Sequence, residues 1–250
     1  MAEVIVVEKP SVRPRPELTA GRLDLAAILA LIVGANLLAG AMSNGLVVAT
    51  VHISAAAIAV AGARLRGYSA DELALSPKAF GDGLRLGLMS AAVIIGAVVT
   101  IAVVPFSRQF FSDDRFADLD GLDVLYETAF RIPVITALTE ELLFRSVLLG
   151  ILLTLTSTRS AVLVSAVVFG LWHVLTTLGD LAENDVTDSF AIWGRVLAVA
   201  ATVAATGVAG VIFGWLRVRS RSVLAPWIAH IAFNASAFLA GVVVVQNNWA

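Results

Sequence analysis

Residues 84–106 read LRLGLMSAAVIIGAVVTIAVVPF, and no charged side chain occurs between Arg85 and Arg108. About 20 mostly apolar residues in a helix cross about 30 Å of hydrocarbon. Lipid offers backbone N–H and C=O groups no partner but each other, so such a stretch forms a helix. Working outward from it, windows of the same kind lie at roughly 24–42, 46–63, 122–155, 160–178, 192–216 and 222–245. The window at 122–155 is too long for one straight crossing and contains Pro133. It predicts either a kink or an interfacial segment that runs into a span from about 134.

Composition agrees with the windows. The chain has 250 residues, 59% hydrophobic and 14% charged, with a mean hydropathy of +0.91. Soluble domains carry about 45–50% apolar and about 25% charged residues, so the surplus must meet a solvent other than water. A formal charge of −2 gives no electrostatic footprint for a nucleic-acid partner. The absence of cysteine removes disulfides, thiolate metal sites and a cysteine nucleophile. Catalysis must therefore use carboxylates, histidines, hydroxyls, or a metal on oxygen and nitrogen ligands.

The basic residues sort by loop, as the positive-inside rule requires. Lys9, Arg13, Arg15 and Arg22 precede the first window, Arg64, Arg66, Lys78 and Arg85 follow the second, Arg159 follows the fourth, and Arg217, Arg219 and Arg221 follow the sixth. The alternate loops hold Asp113, Asp114, Asp118 and Asp120, diluted by Arg108 and Arg115, and then Asp180, Glu183, Asp185 and Asp188. The expectation is an all-α, polytopic transmembrane helix bundle of seven to eight spans, with the N-terminus in the cytoplasm and the C-terminus outside. Residues 1–22, with Pro10, Pro14 and Pro16 among charges, read as a disordered cytoplasmic tail. Residues 23–250 read as a single transmembrane domain in the plasma membrane of a prokaryote. The spacings Gly83/Gly87 and Gly210/Gly214 mark close helix packing.

A charged side chain at mid-bilayer costs about 2.5–3.5 kcal/mol on insertion scales, so each one needs a partner or a task. The spans carry few: Thr139-Glu140-Glu141-Leu142-Leu143-Phe144-Arg145, Phe169-Gly170-Leu171-Trp172-His173, and His230-Ile231-Ala232-Phe233-Asn234. At 1.5 Å per residue, Glu140, His173 and His230 lie roughly 22, 21 and 14 Å from the cytoplasmic ends of their helices. Three helices that bring proton-active groups to similar depth point to one site. Glu141 and Arg145 have the spacing and order of a helical ion pair and are read as structural. Glu140, rotated about 100° from Glu141, is free to act as a general base, because a carboxylate in an apolar cavity tends to hold a proton. His173 can polarise the same water or bind a metal, and His230 with Asn234 can present two donors to one oxygen. A base for water and donors for an oxyanion are what amide hydrolysis requires. Phe169, Trp172, Trp227 and Phe233 are read as packing, and His52, alone in the second window, as structural. Thr139 and Ser165 sit in no nucleophile motif.

The order Glu-Glu-xxx-Arg, Phe-xxx-His, His-xxx-Asn over 139–234 resembles the CPBP family of intramembrane proteases, which holds the type II CAAX prenyl endopeptidases and the bacteriocin-processing or self-immunity proteins also called Abi. Gly210-Val-Ile-Phe-Gly214-Trp215-Leu216 and Ala225-Pro226-Trp227-Ile-Ala-His230 look like that family's stretch before its last motif. The resemblance implies a protease-like core at about 122–245 and an endopeptidase acting on a membrane-associated peptide or protein. Glu140 and His173 would activate water, His230 and Asn234 would stabilise the oxyanion, and Glu141 and Arg145 would support them. Glu140, His173 and His230 are also the three protein ligands a catalytic zinc would take, against direct action on water without metal. No His-Glu-xx-His segment is present, which disfavours a zincin. The better-known prenyl-protein proteases have eight helices, and either the long fourth window or a helix in 107–121 would supply the eighth. A proton-coupled transporter, which also buries Glu and His, and a catalytically silent scaffold or immunity protein are the alternatives.

Overall fold

A computed structural model describes residues 18–182 and 189–249. Among these the chain is helical with no strand. The α-helices are α1 (Leu18–Gly40), α2 (Gly45–Leu65), α3 (Phe80–Val103), α4 (Gly121–Tyr126), α5 (Leu149–Leu155), α6 (Thr158–Ala182), α7 (Ser189–Ser220) and α8 (Leu224–Gln246). Six of them, α1, α2, α3, α6, α7 and α8, are long and apolar enough to cross a membrane. Their large apolar side chains, Leu88, Val93 and Val99 on α3 among them, point outward, while Ala55, Ala56, Ala59 and Ala63 of α2 point inward. This inverts the soluble pattern, as expected where lipid is the solvent and small residues let helices approach. The chain is an integral membrane protein.

The fourth window is one continuous helical run. Between α4 and α5 the turns widen to π geometry over Glu127–Leu138 and again over Glu141–Leu148. Pro133 lies in the first of these stretches; in an α-helix its ring would clash with the carbonyl four residues back. Residues 107–121 supply no additional span, forming 3-10 turns at Pro105–Phe111 and Asp114–Phe116. The eight helices thus arise because the fourth window holds two of them.

Helix directions decide whether this run crosses the membrane. A Cβ on Gly83 would meet Ser222 and Leu224, and one on Gly87 would meet Ala225 and Ile228, so α3 and α8 run parallel. Gly210 faces Ala166 and Gly214 faces Val162, so α6 and α7 are antiparallel. Both glycine pairs sit at close helix contacts. The tight turn into α8 then makes α6, α8 and α3 parallel. Since α3 ends on one face and α6 starts on the other, residues 121–155 must span, and they form the seventh crossing. That run buries Glu140, Glu141 and Arg145 together.

Helix α1 begins at Leu18, inside the stretch read as tail; residues 1–17 lie outside the described residues. Its first turns are held by tertiary contacts that no local signal shows. Gly21 packs against Leu155, and Asp24 accepts from Arg66 Nε at 2.7 Å and from Tyr68 Oη at 3.2 Å. Burial, and then the Asp24 carboxylate, push the Tyr68 hydroxyl up to about 12. In the opposite loop Arg115 holds the Asp113 carboxyl below its usual range. The acidic residues Glu183, Asp185 and Asp188 of the next loop lie outside the described residues.

The loop between α2 and α3 closes the face where α5 ends and α8 begins. Three consecutive carbonyls accept from three different elements: Glu72 from the Arg217 guanidinium, Leu73 from Ser146 Oγ at 2.8 Å, and Ala74 from the Val223 amide at 2.9 Å. Ala74 adopts a φ of 55° to bring them round. This clamp fixes the second π stretch, which carries the site residues, against α7 and α8.

Candidate active site

Glu140 stands on the short α-helical turn between the two π stretches, with Glu141 opening the second. Single π turns are uncommon and concentrate at functional sites, because they redirect side chains locally. Here both carboxylates are buried, Glu140 at 6% exposure and Glu141 at 0%. They share a neighbour on α8. His230, itself 4% exposed, places Nδ1 at 2.9 Å from Glu141 Oε1 and Nε2 at 3.7 Å from Glu140 Oε2. An ionised carboxylate only accepts, so Nδ1 carries the proton of the first contact and Nε2 faces Glu140 as an acceptor in the neutral ring.

Arg145 balances Glu141. Its Nη1 lies 3.2 Å from Glu141 Oε1, four residues away, and the residue is 1% exposed. The guanidinium lies 3.9 Å from the Phe169 ring centroid and 5.1 Å from that of Phe213, so aromatic faces do much of the work that water does at a surface. Phe213 also stacks on His230, with centroids 5.0 Å apart. Phe169 further makes an edge contact with His173 at 4.8 Å and with His230 at 6.1 Å.

His173 is half-buried on α6. Its Nδ1 lies 2.8 Å from the Phe169 carbonyl. A carbonyl accepts, which fixes the neutral tautomer with a lone pair on Nε2. The Phe-xxx-His spacing causes this, since the carbonyl one helical turn back is within reach of the ring. Asn234 is half-buried one turn beyond His230 and makes no side-chain hydrogen bond among the described residues. The structure thus joins Glu140, Glu141, Arg145 and His230 directly, links His173 to them through Phe169, and sets Asn234 at the edge. Among the described residues no three His, Asp or Glu side chains are arranged to hold a metal ion, the set Glu140, His173 and His230 included. One polar atom of each is engaged: Glu140 Oε1 by Trp172, His173 Nδ1 by the Phe169 carbonyl and His230 Nδ1 by Glu141.

Several residues do more than the packing expected of them. Trp172 Nε1 donates to Glu140 Oε1 at 3.3 Å, and Trp227 Nε1 donates to the Pro133 carbonyl at 2.8 Å, tying α8 to the first π stretch. Phe233 is 47% exposed and faces outward. The hydroxyls near the site are engaged elsewhere. Thr139 Oγ1 donates to the Ile135 carbonyl at 2.6 Å and Ser165 Oγ to the Phe144 carbonyl at 3.1 Å, so neither is poised as a nucleophile.

Residues 125–236 match the family model described as type II CAAX prenyl endopeptidase Rce1-like. Over this segment the chain is similar to the Rce1-like family. The match agrees with the CPBP reading of the three motifs, all of which it contains, and the Rce1-like family is one of proteases. Residues 1–124 and 237–250 lie outside the Rce1-like segment. Comparison with curated proteins gives no match, and neither does comparison with solved structures. The Rce1-like segment contains the charged crossing, α6, α7 and most of α8, which are the elements that carry the site.

Proposed function

We propose that the protein is an intramembrane endopeptidase that hydrolyses a peptide bond of a membrane-associated peptide or protein with water activated by Glu140 and His173. The observation that carries this reading is the pair Glu140 Oε2 and His230 Nε2, 3.7 Å apart, with Oε2 buried and without a hydrogen-bond partner. Buried polar atoms are partnered by protein or by ordered water, and a water in contact with a free carboxylate oxygen is a water with a base.

Charge favours the same direction. Two carboxylates and one guanidinium leave the cluster formally −1 while His230 is neutral. A proton taken from water by Glu140 brings it to neutrality, which a low-dielectric site favours. His173 Nε2, an acceptor by its fixed tautomer, orients the second water proton. The hydroxide then adds to the scissile carbonyl. Glu140 passes that proton to His230 Nε2, 3.7 Å away, so the ring donates with the Asn234 amide to the oxyanion; the same proton, returned through Glu140 to the leaving nitrogen, lets the C–N bond break as the carbonyl re-forms. Glu141 and Arg145 keep His230 turned to this task.

The test is a reconstitution. The purified chain in lipid vesicles with a pool of membrane peptides should generate new C-termini by mass spectrometry, and the Glu140→Ala and His173→Ala chains should not. Products retained by both variants would remove this mechanism. The N-terminus inside, C-terminus outside orientation is part of the same proposal, resting on the loop charges.

A further inference from the structure

His52 sits on α2, a helix outside the Rce1-like segment. Its ring lies 5.2 Å from the ring of Trp172, tilted by 47°. That indole is the one that donates to Glu140 Oε1. Two atoms near Trp172 are then left over. His52 Nε2 is inaccessible and has no hydrogen-bond partner among the described residues, and the same holds for Glu140 Oε2. An imidazole nitrogen and a carboxylate oxygen are complementary to one water between them, which satisfies both. A histidine kept only to pack on an indole would gain nothing from that nitrogen, since a phenyl ring fills the same space at no polar cost.

We propose that His52 is a positioning residue of the active site. It braces Trp172 and shares a buried water with one lone pair of Glu140 Oε2, so the carboxylate is held from α2 and α6 while its other lone pair, on the side of His230, is left for the water that reacts. The role in turnover rests on the reading of Glu140 as base; the geometry does not.

The geometry is tested first, without substrate. The chain has three histidines, so the imidazole ¹⁵N spectrum of the full-length, histidine-labelled protein in detergent micelles is assignable by loss of one signal set in His52→Gln. The expected result is that the His52 Nε2 signal moves in Glu140→Gln and stays in place in Glu127→Gln, whose carboxylate pairs with Arg131. A His52 signal unmoved in Glu140→Gln overturns the proposal. Should that variant not fold, Glu140→Asp, which withdraws the carboxylate by one methylene, carries the same expectation and the same refutation. Turnover is then read on the peptide found by reconstitution. His52→Phe, which keeps the ring, should lower kcat roughly tenfold with KM nearly constant, and His52→Gln, which restores a polar atom at similar reach, should recover most of it. Equal loss in both variants would reduce His52 to packing. Failure to find any cleaved peptide would refute the peptidase reading while leaving the ¹⁵N result to stand or fall alone.

Discussion

The Glu141–Arg145 pair offers the sharpest energetic test of the site's architecture. Glu141→Ala strands a guanidinium that is 1% exposed and whose three nitrogens have no hydrogen-bond partner among the described residues. The faces of Phe169 and Phe213 remain, worth up to about 2 kcal/mol for a desolvated cation. Breaking a buried pair from one side costs about 3–5 kcal/mol, because it leaves a buried charge uncompensated. The lost contact from His230 Nδ1 at 2.9 Å adds to this. At roughly 2–4 °C per kcal/mol for a chain of this size, Tm should fall by about 6–20 °C. Replacing both partners by apolar residues of similar volume is often neutral or stabilising, so Glu141→Leu with Arg145→Met should unfold well above Glu141→Ala. The assay is thermal unfolding in detergent followed by intrinsic tryptophan fluorescence. A single variant within about 2 °C of the parent, or a double variant no more stable than either single change, would refute the buried-pair reasoning.

Other consequences follow from single contacts. A Cβ on Gly170 would stand 2.7 Å from the Val203 carbonyl oxygen, and backbone cannot yield as a side chain does. Gly170→Ala should therefore cost about 1–3 kcal/mol by overpacking. Gly34→Ala, with nothing within 4 Å, should be neutral or gain about 0.5–1 kcal/mol in thermal unfolding. The Tyr68 hydroxyl, at about 12, lies above its ordinary value, so its stabilising contribution is complete below about pH 10 and is lost as pH rises through about 12. The difference in phenolate absorbance between the parent and Tyr68→Phe should develop only in that upper range, and a transition near pH 10 would contradict it. Trp227→Phe removes the donor to the Pro133 carbonyl and should lower stability by about 0.5–1.5 kcal/mol, measured by the same melts.

The positions of the spans were legible because hydropathy integrates over many residues; every window but the fourth corresponds to one described helix with ends shifted by a few residues. The start of α1 was not legible, since Leu155 and Arg66, which hold Gly21 and Asp24, are distant in sequence. Nothing but Pro133 announced the π turns of the fourth window. At the site, rise per residue gave position along each helix, and Glu140 and His230 do lie 3.7 Å apart. It gave no azimuth. The approach of His230 to both carboxylates and the turn of His173 toward the Phe169 carbonyl are matters of azimuth. Trp172 and His52 were passed over for the same reason, as their ties to Glu140 join helices far apart in the chain.

The account rests on Glu140 as the base that activates water. Glu140→Gln keeps shape and hydrogen bonding to Trp172 while removing the basic oxygen, so single-turnover cleavage of the reconstituted peptide should slow by about 10²–10⁴ with substrate binding and Tm nearly unchanged. Cleavage by Glu140→Gln at the parent rate would contradict the account.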